Sequence, residues 1–424
     1  MAGALSARRP LAAVASNDGP ASTRLRPRGS NQIGMRQFNE RVVLQAIRLH
    51  GALPQAELAR LTHLTAQTVS LIIARLERDD LLLRLEPLRG KVGQPSVPIA
   101  LNPEGAFSIG IKIGRRSMDA LLVDFAGGVR ERLSLDYAFP DPDTLFDEIN
   151  ARLKLLRKAL KPGLRGRLHG IGVAAPLSLG GWQQLLGVAP ALAEKWHRID
   201  IGERMTALSA TAGLPVEFVK DTAAACVAEL VAGRGRSIRS FLYVFVDTFI
   251  GGGLVLDSQL RGGITGNAGA LGSLPLGLSG TDPDRAPAQL LSRGSLWNLE
   301  AMYAKAGLDV RAWTDERAMC DGWLAHTQAW LREASPAIAL ALNSAACLLD
   351  LEGVIIDGSF SRELLAALLT DVERALDRYS WEGVSRPAVL AGTIGSDARA
   401  VGGALLPLYA NFAPDRDLFL KLAP

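Results

Sequence analysis

The sequence holds only three cysteines in 424 residues: Cys226, Cys320 and Cys347. They lie far apart. No two have metal-ligand spacing, and an odd three make no disulfide framework. No apolar run approaches the ~18 residues that a membrane-spanning helix needs. What is abundant excludes disorder and fibrous repeats: 48% hydrophobic and 21% charged residues with 43 glycines describe a core-forming, turn-rich chain. At 424 residues the chain is too long for one ordinary core, so two or three domains are expected.

The net charge of +4 is unevenly spread. Residues 1–100 carry 14 Lys and Arg against 7 Asp and Glu, whereas residues 101–424 carry 33 against 36. A basic head on a near-neutral body suggests that the head meets a polyanion. Residues 1–30 set Arg8, Arg9, Arg24, Arg26 and Arg28 among Pro, Gly, Ser and Ala without periodicity, which reads as a disordered basic tail. Its arginines serve either solubility or extra phosphate contact. A signal peptide is the rival reading, but the apolar stretch at 11–15 is shorter than the ~7–15 residues such a segment needs.

Helical periodicity begins at residue 37. Val42, Val43, Ala46, Ile47 and Leu49 form a stripe that ends at His50-Gly51. Pro54 is expected as the first residue of a second helix through Leu61. Thr65 is placed to cap a third, Ala66 to Arg78, with Val69, Ile72, Ile73 and Leu76 as its buried face. A short helix, a tight turn and a second amphipathic helix make a helix-turn-helix, whose second helix enters the major groove. Leu81–Leu85 and Val97–Leu101 read as the strands of a wing, joined by a turn-rich segment bearing Arg89 and Lys91. Two cations at a wing tip suit phosphates or the minor groove.

Three-helix units with a hairpin also serve as protein–protein modules. The basic balance and the polar exposed positions of the third helix favour DNA. Thr65, Gln67, Thr68 and Ser70 lie near its N-terminal end, where base contacts usually fall, and Arg75 lies further along. Gln pairs with adenine, and Ser or Thr with several bases. Each is otherwise a solvated surface residue.

After Asn102-Pro103, strands and helices alternate. Residues 107–114, 119–125, 168–173 and 216–219 read as strands, with helices over 145–160 and 222–232. A second set begins with strands at 240–246 and 250–256, has helices around 331–350 and 361–378, and has short strands at 354–356 and 388–391. Two α/β halves, each with a hairpin, imply a two-lobed body with a cleft.

The stretch Ile250-Gly-Gly-Gly-Leu-Val-Leu-Asp257, followed by Arg261-Gly-Gly-Ile-Thr-Gly-Asn-Ala-Gly-Ala-Leu-Gly272, resembles a motif of the ROK family. That family unites bacterial repressors with sugar kinases. Lys220-Asp221, Ile171-Gly-Val with Pro176, and Ala398 with Gly402-Gly403 support the resemblance, which covers roughly residues 31–424. It implies an α/β fold. A winged helix-turn-helix over 31–101 precedes a two-lobed, actin-like (ribonuclease H-like) ATPase fold over 102–424. One lobe would hold about 102–220 plus the C-terminal helix, and the other about 221–400. Nucleotide and sugar bind between such lobes in the family's kinases.

Departures from the family pattern carry the functional expectation. Kinases of the family begin with DxGGT, whose Asp organises metal and whose glycines approach phosphate. The matching run here is Lys112-Ile-Gly-Arg-Arg116. The second phosphate loop reads Asp247-Thr-Phe-Ile-Gly-Gly-Gly253, with two glycines lost, and the adenosine-side GGG reads Asp357-Gly358-Ser359. Arg115 and Arg116 could bind phosphate directly but cannot replace a metal ligand. The family's Asn-Asp pair has become Lys220-Asp221, its motif Glu is Ala270, and its zinc-binding His is Ser273. The cysteine zinc motif is absent from 273–300, so no zinc is expected. Trp297 and Glu300 lie where a late ligand residue would come.

The resemblance thus implies a DNA-binding transcriptional regulator, expected to repress carbohydrate-related genes, with a catalytically dead body. No cofactor or metal is expected, no membrane segment, and a cytoplasmic location. Its partners would be a double-stranded operator and a second copy, as dimer or tetramer. If a sugar or sugar-acid effector exists, Lys112, Lys220, Asp221, Asn267 and Ser273 would line its site, the lysines favouring an anion. The alternative for the lysines is internal pairing with Asp221, Asp247 and Asp357, and for Asp221 a helix cap. In relatives the linker after the wing reads Gly-Arg-Pro, where this chain has Gly93-Gln94-Pro95, so a minor-groove contact there falls to Gln94. The rival functions are an active sugar kinase with an accessory DNA-binding head, and a ligand-blind regulator whose body only dimerises.

Overall fold

The computed structural model describes residues 32–87, 97–181, 186–278 and 286–414. The basic tail and the wing tip with Arg89, Lys91 and Gln94 lie outside the described residues.

Helix α1 (Gln32–His50) ends where Gly51 adopts φ +79, a left-handed conformation that costs glycine little. Strand β1 (Leu53–Pro54) leads into α2 (Gln55–Thr62), which turns at His63, φ 55, into α3 (Ala66–Arg78). Pro54 is not the first helical residue. Its extended ψ of 153 makes it the cap, and it pairs with a later strand. Strands β2 (Leu82–Arg84) and β3 (Pro98–Leu101) pair antiparallel, giving a sheet ordered β1-β3-β2. Leu58, Val69, Ile72, Ile73, Leu76, Leu82 and Ile99 close the core of this head.

The body has two sheets of the same design. The first is built from β4 (Phe107–Ile113), β5 (Ser117–Asp124), β6 (Val129–Asp136), β7 (Leu168–Ala175) and β8 (Val216–Lys220), ordered β6-β5-β4-β7-β8. The second comprises β9 (Phe241–Val246), β10 (Gly251–Leu256), β11 (Gln259–Arg261), β12 (Gly353–Gly358) and β13 (Ala388–Ala391), ordered β11-β10-β9-β12-β13. In each, an antiparallel meander is extended by two parallel strands. Strand β6 escapes the sequence reading because only Leu133 and Leu135 of its eight residues are turned to the core, and the other six are exposed. Helix α4 (Pro142–Ala159) packs on the first sheet, and α5 (Leu324–Leu349) and α6 (Arg362–Leu376) on the second.

Between the sheets lie α7 (Asp221–Ala232) and the C-terminal α8 (Ala398–Phe412), sharing a core with Leu121, Val123, Phe241 and Tyr243. Glycines let them touch. A Cβ on Gly402 would stand 1.7 Å from the Ala224 carbonyl, and one on Gly172 would stand 1.9 Å from that of Gly403. The far end of α8 meets the head: Leu408 joins the head's core, and Phe412 packs edge-on to Phe125 at 4.8 Å. Arg48 of α1 lies over the Phe125 ring, and Arg236 donates to the Arg48 carbonyl at 3.0 Å.

Candidate functional site

Two surfaces carry chemistry, the exposed face of α3 and the cleft between the sheets. Thr65 caps α3, its hydroxyl accepting from the Thr68 amide at 3.1 Å and meeting the Thr68 hydroxyl at 2.9 Å. Gln67 and Ser70 are exposed on the next turn and Thr68 is half-buried, so the polar positions share the N-terminal end of the helix. Arg75 is separate from them, with its guanidinium 3.3 Å from Glu40 of α1. Arg84 on β2 is likewise tied to Glu77, at 2.6 Å.

In the cleft, Lys112 on β4 faces Asp119 on β5 as a cross-strand pair. Its ammonium lies 3.1 Å from that carboxylate and 2.6 Å from the Ser117 hydroxyl. Burial and the nearby Arg399 push the Lys112 pKa down, and Asp119 and Asp247 partly offset this. The partner of Lys112 is therefore Asp119, and not one of the three carboxylates expected from the sequence. Those three have partners of their own. Arg399, near the start of α8, is 2.5 Å from Asp247 and 3.6 Å from Asp221. Asp357 accepts from the Gly395 amide at 2.7 Å and pairs with Arg362 at 3.1 Å. Burial alone would raise the Asp247 pKa, but Arg399 and Lys112 outweigh it and hold the group below the usual carboxylate range. For Asp357 burial prevails and the pKa is raised.

Asp221 opens α7 rather than capping it from outside. Its carboxylate accepts from the adjacent Thr222 amide at 2.9 Å and faces Arg399 at 3.6 Å, with the charges of Arg115 and Lys220 also near it. Lys220 donates to the Ala268 carbonyl at 3.1 Å and to Asn267 Oδ1 at 3.3 Å, so those two hold the 261–269 loop against β8. Ser273 is exposed. Of the five residues expected around an effector, Lys220 and Asn267 contact each other, while Lys112, Asp221 and Ser273 have other surroundings.

Two cleft residues, Asp119 and Arg399, were not singled out by sequence reasoning. Asp119 was identifiable in principle, since a tight turn at 114–116 sets it opposite Lys112. Arg399 lies inside the motif from Ala398 to Gly402-Gly403, whose pattern is set by small residues. Glu300 was noticed only by position. It receives Arg116 through two contacts of 2.6 Å and the Trp313 indole at 3.2 Å, joining the first β-hairpin to the second lobe. Beside this contact is a cavity of about 290 Å³ lined by Arg115, Arg116, Thr248, Phe139, Val188 and Leu192, among others. Among the described residues no group of three or more His, Cys, Asp or Glu is placed to hold a metal, and no helix is long and apolar enough to cross a membrane.

Residues 39–82 match the winged helix-turn-helix DNA-binding family, and residues 108–409 match the ROK family. The xylose repressor of Bacillus subtilis is 22% identical over 255 residues, which cover 59% of this chain and 64% of that protein, just under two thirds of its length. Among solved structures, a ROK family transcriptional regulator described as a homologue of the Escherichia coli Mlc protein superposes with a TM-score of 0.64 at 19% identity, over 90% of this chain and 98% of its own. A ROK family glucokinase from Streptomyces griseus, in complex with glucose and AMPPNP, gives 0.56 at 20% identity over 71% of this chain and 99% of its own. These two likenesses are of fold. With a DNA-binding winged helix-turn-helix ahead of a body matched along almost its whole length, the chain belongs to the ROK family.

Proposed function

We propose that this protein is a sequence-specific DNA-binding repressor of carbohydrate-related genes, and that its body does not phosphorylate sugars. The repressor half of the reading is supported by the head, whose capped third helix presents Thr65, Gln67, Thr68 and Ser70 together, and by the likeness to the xylose repressor. Arg75 is the weakest of the proposed base contacts because Glu40 already engages it. Arg89, Lys91 and Gln94 are proposed for phosphate or minor-groove contact from the wing.

One observation carries the inactive body: Lys112 stands where the family's kinases place their metal-organising Asp, locked to Asp119 at 3.1 Å. A buried ammonium there repels Mg²⁺, and phosphoryl transfer depends on that charge. Arg399 on Asp247 and Arg362 on Asp357 occupy the two other altered loops.

The body is also proposed to dimerise, so that two heads meet two half-sites about one helical turn apart. Helix α8 links cleft and head. Arg399 is in the cleft and Phe412 is against Phe125, 13 residues or about 20 Å further along a helix. A change of lobe angle would therefore reach α1 through packed side chains. The reading is tested by fluorescence anisotropy with operator DNA alongside a coupled ATPase assay with hexoses. Specific DNA binding without turnover is expected, and turnover would contradict it.

A further inference from the structure

We infer that Leu71 is a base-reading residue that meets the methyl group of a thymine in the major groove. The inference rests on the DNA-binding reading above and names the class of sequence that the head takes, a half-site with A·T pairs under α3.

Gln67, Ser70, Leu71, Ala74 and Arg78 follow one another at helical spacing, so they form one stripe along α3. All five are exposed, while Val69, Ile72, Ile73 and Leu76 on the other side of the helix close the head's core. Gln55 of α2 donates to the Ala66 carbonyl at 3.2 Å, which ties the start of α3 to the helix before it. Leu71 stands in the middle of the stripe and is 60% exposed, more than any other large apolar residue of the described head. A lone exposed leucine is ordinary on a protein surface. This one is set at the centre of the helix face that a winged helix-turn-helix turns into the major groove.

The stripe is neutral where bases are read. From Ala66 to Ala74 the helix carries no charged residue. Arg75 is engaged by Glu40 at 3.3 Å. Arg78 stands about 16 Å further along the axis than Gln67, past the N-terminal turns that usually carry base contacts. Guanine is most often read by Arg or Lys, which the centre of the stripe lacks. Gln67 can pair with adenine, and an aliphatic side chain fits the thymine methyl, so the two side by side match A·T pairs. Against a methyl, Leu71 and the base both lose apolar surface to water. Against the amino group of cytosine or the oxygen of guanine, the same leucine would desolvate a polar edge and return nothing. Attraction to the phosphates falls to the rest of the head, where residues 1–100 carry 14 Lys and Arg against 7 Asp and Glu.

The experiment titrates the full-length chain and its Leu71→Ala variant, by fluorescence anisotropy, with the duplex that the wild type selects from random-sequence DNA. Companion duplexes replace each thymine in turn by deoxyuridine, which lacks only the methyl group. For the wild type, at least one replacement should weaken binding about three- to fivefold, as expected for one buried methyl. Leu71→Ala should bind the parent duplex more weakly by a similar factor and be indifferent to that same replacement. Leu71 lies outside the head's core, so the variant should unfold at the wild-type temperature. The inference is overturned if no thymine methyl matters to the wild type, a result that needs no variant. It is also overturned if Leu71→Ala keeps the full methyl dependence, which would leave Leu71 a packing role only. A selected site without methyl dependence defeats this inference alone. Failure to select any site defeats the sequence-specific reading, and this inference with it.

Discussion

Arg399 and Asp247 form a 2.5 Å ion pair between the two lobes, with side chains only 11% and 14% exposed. Asp247 comes from the loop after β9 and Arg399 from the start of α8, so the pair fastens the C-terminal helix to the second sheet. Removing one partner leaves buried charge uncompensated, at about 3–5 kcal/mol. Arg399→Met should lower stability by about that much, because Asp221 loses the same guanidinium. Combining it with Asp247→Asn should recover part of the loss. Urea denaturation of the three variants checks this.

The same pair sets a pH response. The Asp247 pKa in the folded chain is held below its ordinary value of 3.8, and that of Asp119 is also lowered. A depressed carboxylate stabilises above the unfolded pKa, and that contribution disappears as pH falls through the folded one. Tm should therefore be steady above about pH 5 and fall steeply below about pH 4. Asp247→Asn should flatten part of that fall in a scanning-calorimetry series.

Lys112→Asp restores the residue type that the family's kinases carry but sets it opposite Asp119, within the same buried hairpin. Two carboxylates there repel, and the variant should lose about 3–5 kcal/mol as the Lys112–Asp119 pair is broken. It should gain no phosphoryl transfer, since Arg399 and Arg362 still fill the other loops. Turnover of any hexose by this variant in a coupled assay would show that Lys112 alone had silenced a working site.

The parts of the fold carried by local pattern were legible in the sequence. The Val69–Leu76 stripe and the Thr65 cap define α3 without reference to anything distant, and the glycine-rich run at 250–272 led to the family. Strand β6 was not legible, because an edge strand with only Leu133 and Leu135 turned to the core offers too short an apolar alternation to detect. The cleft was legible as altered loops but not as pairs. That a buried Lys112 needs an anionic partner follows from its charge, but which carboxylate answers it depends on hairpin register. That Arg399 reaches Asp221 and Asp247 depends on where a helix far downstream in the chain returns.

In the head, charge and polarity should separate cleanly. Replacing Arg89 and Lys91 with Ala should weaken binding to all sequences and reduce the salt slope by about one to two. Gln67→Ala, at an exposed position beyond the cap, should instead alter which bases are preferred, at about 1–3 kcal/mol of discrimination. Anisotropy titrations across a salt series, on two DNA sequences, distinguish the two effects.

The most direct test of the central claim is selection of binding sites from random-sequence DNA by the full-length protein, with affinity then measured for the enriched site and for scrambled DNA at one salt concentration. The account predicts an enriched pair of related half-sites, bound about 10³-fold or more tighter than scrambled DNA. Equal affinity for both sequences, or no enrichment at all, would contradict it.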